Sequence, residues 1–147
     1  MRTLGLDVGD RRIGVALSDE TGTLASGLEN LARVGPVKDV KAVAALVRGH
    51  EVGEVVVGLP RNLDGSLGPQ AQKVLAFMEA LKKVMPTPVV PWDERLTTVM
   101  AHRVLDEAEV GRRQRQGVVD RVAAILILQS YLDYRKLAET EAGKPRP

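Results

Sequence analysis

The 147-residue chain contains no cysteine. That excludes disulfides, thiolate metal sites and cysteine nucleophiles, and leaves a cytoplasmic location as the default expectation. Aromatic residues make up only 3%, too few to suggest a base-stacking platform of the kind single-strand binders use. The two histidines, His50 and His102, are not at helical spacing; they read as helix-end and surface or core residues, not as ligands or a general base. No apolar run approaches the ~20 residues of a membrane span. Asp7 interrupts the apolar stretch near the start, so neither a signal peptide nor a membrane anchor is expected. Charge of one sign is also lacking, with a formal net charge of +2. Bulk charge is therefore no argument for nucleic acid, but arginine outnumbers lysine. A planar guanidinium can bond two phosphate oxygens at once, which directs attention to where the arginines fall.

What is present is a soluble, globular composition: 44% hydrophobic and 27% charged residues, enough for one packed core. A single domain is expected over residues 1–138, with 139–147 as a flexible tail. Two apolar runs, Leu4 to Val8 and Ile13 to Leu17, flank a polar turn and predict a β-hairpin. Leu24 to Leu31 predicts a third strand, weakened by Gly27. Gly35-Pro36 opens a helix with Val37, Val40, Ala44 and Val47 at apolar spacing. Glu54 to Pro60 is a valine run bounded by Gly and Pro, the pattern of a parallel strand buried on both faces. A polar loop, Arg61 to Gly68, turns at Asp64-Gly65. Pro69 starts a second helix, and Val89 to Trp92 is a short strand that Pro91 assigns to an edge. A third helix is expected over 99–110 with Thr97 or Thr98 as its N-cap. Arg112 to Gly117 reads as a basic loop, and the final helix runs from Val118 to about Leu137. The order β-β-β-α-β-α-β-α-α gives an α/β fold with a mixed five-stranded sheet flanked by helices.

This topology brings the chemistry to one edge. The first, fourth and fifth strands run parallel, and ligands of open α/β sheets bind outside the carboxyl ends of such strands. Asp7 lies at the end of the first strand and Asp93-Glu94 directly after the fifth. Asp120 sits on the last helix in line with Ala123, Ala124 and Ile127. One acid in a core strand is commonly tied to turn amides, and an acid in a first helical turn gains from the helix dipole. Three acids aimed at one place instead require counter-charge, and oxygen-only ligands suit Mg2+ or Mn2+. Arg11, Arg12, Arg61, Arg95, Arg112, Arg113 and Arg115 fall on the same edge, as phosphate contacts would.

These residues resemble the YqgF (RuvX-like) family, described as pre-16S rRNA nucleases and as Holliday-junction resolvases. The matching pieces are Leu6-Asp7-Val8-Gly9 with Arg12-Ile13-Gly14-Val15-Ala16, then Val57-Gly58-Leu59-Pro60 with Asp64-Gly65. Asp93-Glu94-Arg95-Leu96-Thr97-Thr98 follows, and finally Asp120 with Ala123-Ala124-Ile125-Leu126, Leu128-Gln129 and Tyr131-Leu132. Together they span residues 1–135 in order. The resemblance implies an RNase H-like fold, a catalytic triad of Asp7, Glu94 and Asp120, and a role in maturing the 5′ end of 16S rRNA. Two departures matter. Val55 to Pro60 lacks the acid that better-characterised nucleases of this fold carry on the fourth strand. Glu94 would then act from two strands away, about 10 Å at ~4.8 Å per strand, with Asp93 and Asp64 as alternatives. Arginine also stands in the basic loop where the family tends to have lysine.

The expected reaction is phosphodiester hydrolysis with two divalent ions, Asp7 bridging them and Glu94 and Asp120 each holding one. The substrate is expected to be pre-rRNA or a ribosomal precursor particle, or alternatively branched DNA, with the protein a monomer or homodimer. A non-catalytic RNA-binding assembly factor is the rival from another class. An actin-like or sugar-kinase-like ATPase also opens on a strand with Asp-x-Gly. Such proteins need two domains of this kind, and no phosphate-binding Gly-x4-Gly-Lys-Ser/Thr loop occurs here.

Overall fold

The computed structural model describes residues 1–95 and 112–142, with side chains described over 1–95 and 123–139. β1 (Arg2–Val8) and β2 (Arg12–Ser18) form the expected hairpin, with Asp7 opposite Gly14. The third strand is not continuous. Two short pieces, β3 (Ala25–Gly27) and β4 (Leu31–Ala32), each pair antiparallel with β2. Gly27 and the exposed polar pair Glu29-Asn30 supply little to a pleated surface, so the ladder lapses between them. Among the described residues the sheet therefore has six strands where five were expected. β5 (Val52–Leu59) and β6 (Val89–Asp93) add in parallel on the other side of β1, giving the order β3-β2-β1-β5-β6 with β6 at the edge.

Helices α1 (Pro36–Gly49) and α2 (Pro69–Val84) start at the two prolines that announced them. They cover one face of the sheet. Leu4, Leu6, Val8, Ile13, Val15, Val55, Val57 and Leu59 meet Val40, Val43 and Val47 of α1 and Val74, Phe77, Met78 and Leu81 of α2. Burying each such side chain contributes roughly 1.5–3 kcal/mol. Val37, expected in the buried stripe, is instead exposed, and Val43 takes its place.

The last helix, α3 (Arg112–Ala142), crosses the opposite face and is longer than expected at both ends. Arg112 to Gly117 is helical and not a loop. Arginine and glutamine are good helix formers, and one glycine costs only about 1 kcal/mol against a long helix. Glu139 to Ala142, assigned to the tail by sequence, continue the helix; glutamate and alanine favour it, and the first breaker is Gly143. The expected helix over 99–110, with His102, lies outside the described residues, as does 143–147. Among the described residues no helix is long and apolar enough to cross a membrane.

α3 approaches the sheet closely because small residues line that face. A Cβ on Gly5 would stand 2.7 Å from Leu128 Cβ, and one on Gly14 would stand 3.3 Å from Ala124 Cβ. Ala16, Ala124, Leu128 and Leu132 fill this second, thinner core. Trp92 of β6 packs on Tyr131 and Tyr134 of α3, with ring centroids 5.7 and 5.4 Å apart. The Tyr131 hydroxyl donates to Glu54 at 2.7 Å.

α1 begins at a glycine N-cap, Gly35, which has no side chain to satisfy the helix's first amides. Asp39, only 4% exposed, instead reaches back to the segment that leads into the helix. It accepts from the Val34 amide (2.9 Å) and from Arg33 Nε (2.8 Å). Burial opposes its charge, but these bonds outweigh burial and hold its carboxyl below the ordinary range. Asp39→Ala should lower the unfolding free energy by about 2–3 kcal/mol in urea titrations at pH 7. Because the folded-state affinity for protons is lowered, this contribution is present above the unfolded carboxylate pKa. It fades as pH falls through the folded one, so wild type and variant converge in acid.

Candidate active site

Along β1 the side chains alternate, so Leu4, Leu6 and Val8 enter the α1/α2 core while Gly5 and Asp7 face α3. Asp7 thus sits half-buried near the carboxyl end of a central strand, beneath the helix. A Cβ on Gly14, its partner across the hairpin, would lie 3.5 Å from Asp7 Cβ and 3.3 Å from Ala124 Cβ. The carboxylate therefore occupies a slot walled by β2 and α3.

Glu94 follows the last residue of β6, with β5 between it and β1. It nevertheless reaches Asp7 and shares a hydrogen bond with it. Gly58 is what permits this. In register with Trp92, it lies on the stretch of β5 that Glu94 must cross. A Cβ there would fall 2.5 Å from Glu94 Oε1 and 2.5 Å from Ile127 Cδ1. Any side chain at this position would block the path. The glycine in the valine run was visible in the sequence, but its purpose was not.

The electrostatics report two acids forced together. Burial first, then the Asp7 charge and the hydrogen bond with Asp7, push the Glu94 carboxyl up to about 7. Two carboxyls in one slot cannot both ionise without a counter-charge. The sequence alternatives are engaged elsewhere. Asp93 takes Arg95 through Nε (3.1 Å) and Nη2 (2.7 Å), and hydrogen bonding to Arg95 is the leading cause of its lowered pKa. Asp64 is exposed in its turn and accepts from the Ser66 hydroxyl at 2.6 Å and its amide at 2.9 Å. Of the three candidates for the middle carboxylate, the structure brings Glu94 to Asp7.

Asp120 lies on α3 one turn before Ala124, the residue packed over Gly14. Its side chain is outside the described residues, as are those of Arg112, Arg113 and Arg115. Among the described residues no group of three or more acids and histidines converges. Two half-buried carboxylates whose repulsion raises one pKa do fit a divalent cation, which would hold both ionised. Arg11 is exposed in the turn after β1, Arg12 is exposed at the start of β2, and Arg61 is exposed after β5. Arg95 is less available than expected, since it is clamped on Asp93 and also donates to the Leu63 carbonyl at 3.3 Å.

Comparison with known proteins gives this arrangement a lineage. The family model for RuvX, described as Holliday junction resolvase, matches residues 1–134. The chain belongs to the RuvX family. A relative from Halothermothrix orenii is 53% identical over 135 residues, covering 92% of this chain and 96% of its own. One from Thermoanaerobacter pseudethanolicus is 51% identical over 137 residues, covering 92% and 99%. Both are provisionally named pre-16S rRNA nuclease. Among solved structures, RuvC of Thermus thermophilus in complex with a Holliday junction substrate has a TM-score of 0.61 at 14% identity, covering 94% of this chain and 96% of that one. The fowlpox virus Holliday junction resolvase has a TM-score of 0.52 at 14% identity, covering 91% and 99%. At that identity the likeness concerns the fold, and it bears out the expected RNase H-like architecture.

The raised Glu94 pKa makes a signed prediction for the RuvX-family chain held in chelator. Between the ordinary value of 4.5 and about 7, the folded state binds more protons than the unfolded state. Stability should therefore fall as pH rises through that window and level off above it. Glu94→Gln should remove this slope and be the more stable protein at pH 8, by about 1–3 kcal/mol. Thermal and urea unfolding of both proteins at pH 5 and pH 8 decide it, and parallel profiles would remove the carboxyl contact as the cause.

Proposed function

We propose that this RuvX-family chain is a nuclease that hydrolyses nucleic-acid phosphodiesters with divalent-metal assistance, and that its substrate is the 5′ region of precursor 16S rRNA. The observation that carries this reading is the meeting of Asp7 and Glu94 over Gly58 at the carboxyl edge of the sheet. The names of relatives that cover nearly all of the chain support the substrate.

In this reading Asp7 and Glu94 hold Mg2+ or Mn2+, and Asp120, one helical turn from Ala124, completes the ligand set. A divalent cation bound there supplies an activated water and charge for the leaving oxygen, the recognised chemistry of such sites. The protein's part is positional. β1 places Asp7 on the sheet face beneath α3, beside Gly14, and Gly58 leaves the corridor through which Glu94 arrives. Glu94 must be ionised to act as a ligand, so its burial beside Asp7 ties activity to cation concentration and pH. Arg11, Arg12 and Arg61 neutralise the flanking phosphates, and the basic start of α3, with Arg112, Arg113 and Arg115, extends that track. His50 ends α1, leaving no histidine base at the site among the described residues; none is required here.

Cleavage of four-way DNA is the second reading, favoured by the description of the family model. Phosphate contacts do not distinguish the two sugars. Precursor 16S rRNA and a four-way DNA junction, each assayed with Mg2+, Mn2+ or chelator, separate them. The expected result is metal-dependent cutting of the RNA to a 5′-phosphate and a 3′-hydroxyl. Asp7→Asn should lower the rate at least about a hundredfold while fold and RNA binding persist. Cutting by Asp7→Asn at the wild-type rate would remove Asp7 from the mechanism. Binding without cleavage under either metal would favour a non-catalytic assembly factor.

A further inference from the structure

The loop between β5 and α2 carries the most exposed large apolar side chain among the described residues. Leu63 is 97% exposed, against 71% for Val34, the next. The loop beneath it is firmly built. Asn62 N–H donates to the Ser66 carbonyl at 3.0 Å and Gly65 N–H to the Asn62 carbonyl at 2.8 Å. Arg61 donates to the Gly65 carbonyl at 2.9 Å, and Asp64 takes both donors of Ser66. The Leu63 carbonyl itself accepts from Arg95. That guanidinium is anchored on Asp93, and Arg95 follows Glu94 directly in the chain. The leucine is thus braced against the residue next to the carboxylate pair.

A lone exposed leucine is ordinary on a protein surface. Leu63 differs in three respects together: near-complete exposure, a backbone too constrained to fold it away, and exposed Arg61 two residues before it at the sheet edge that holds Asp7 and Glu94. Arginines there meet phosphates. The complementary apolar surface on a nucleic acid is the face of a base, which stacking covers in a continuous helix. An aliphatic side chain presented beside a phosphate track can reach that face only by entering a base step.

We propose that Leu63 is a wedge that enters a base step near the phosphodiester being cut. It would thereby select nucleic acids in which stacking is already interrupted, such as a helix end, bulge or branch. The proposal rests on the nuclease reading above and adds the structural feature of the substrate that the site prefers. Opening a step is cheapest where pairing or stacking is already broken, so a wedge favours such sites over continuous duplex.

Two measurements test it. In the first, wild type, Leu63→Ala and Leu63→Phe are given a branched RNA and an unstructured RNA of the same cleavage-site sequence. Leu63→Ala should lower the ratio of kcat/KM, branched over unstructured, by about tenfold, and Leu63→Phe should restore it. In the second, 2-aminopurine is placed at the branch and binding is followed by fluorescence in the Asp7→Asn background. Fluorescence should rise with Leu63 present and stay flat with Leu63→Ala at equal saturation. An unchanged ratio, or the same rise without Leu63, overturns the proposal. If wild type cuts neither RNA, the nuclease reading fails and the fluorescence measurement alone decides the wedge.

Discussion

Two carboxylates from strands that are not neighbours share one slot, and the rest of this structure is arranged so that they can. Asp7 stands on β1 and Glu94 follows β6, with β5 between them. Contact across an intervening strand requires that strand to lack a side chain at the crossing point. Gly58 satisfies this, with no room for a Cβ between Glu94 and Ile127. The same small-residue rule governs the helix above. Gly5 and Gly14 let α3 settle close against the sheet, bringing Leu128 and Ala124 over them.

Enclosure explains the electrostatics. A carboxyl pair in water would ionise almost independently, whereas here burial and the neighbouring charge lift Glu94 to about 7. The two faces of the sheet divide the labour. The face under α1 and α2 carries the aliphatic core that stabilises the domain. The face under α3 exchanges apolar volume for glycines, an acid pair and a thinner core. The larger apolar core lies on one side, and the acid pair lies on the side with the smaller one.

The arginines also differ in their surroundings. Arg11, Arg12 and Arg61 are exposed at the sheet edge, while Arg33 and Arg95 are structural. Arg33 joins Asp39 to the Gly9 carbonyl (2.8 Å), and Arg95 joins Asp93 to the loop that presents Leu63. Residues of one type thus differ in whether a carboxylate holds them by a direct hydrogen bond, as Asp39 holds Arg33 and Asp93 holds Arg95.

Much of this was readable from residues alone. Strand alternation, the valine run and the Gly-Pro helix starts determined the hairpin, the parallel strands and both covering helices, because these signals act within a few residues. Asp7 stood out because a charge in an apolar run demands a partner. The sequence could not choose among Glu94, Asp93 and Asp64, since that depends on which carboxyl finds an open path across β5. Composition is also silent on clustering: a low aromatic percentage did not show that Trp92, Tyr131 and Tyr134 converge. The ends of α3 were misread because arginine-rich and acidic segments lack the apolar period that marks a packed helix, although their helix propensity is high. Local preference and burial pattern are properties of the chain; the meeting of Asp7 with Glu94 exists only after the sheet has formed, because close approach across a strand is a property of space.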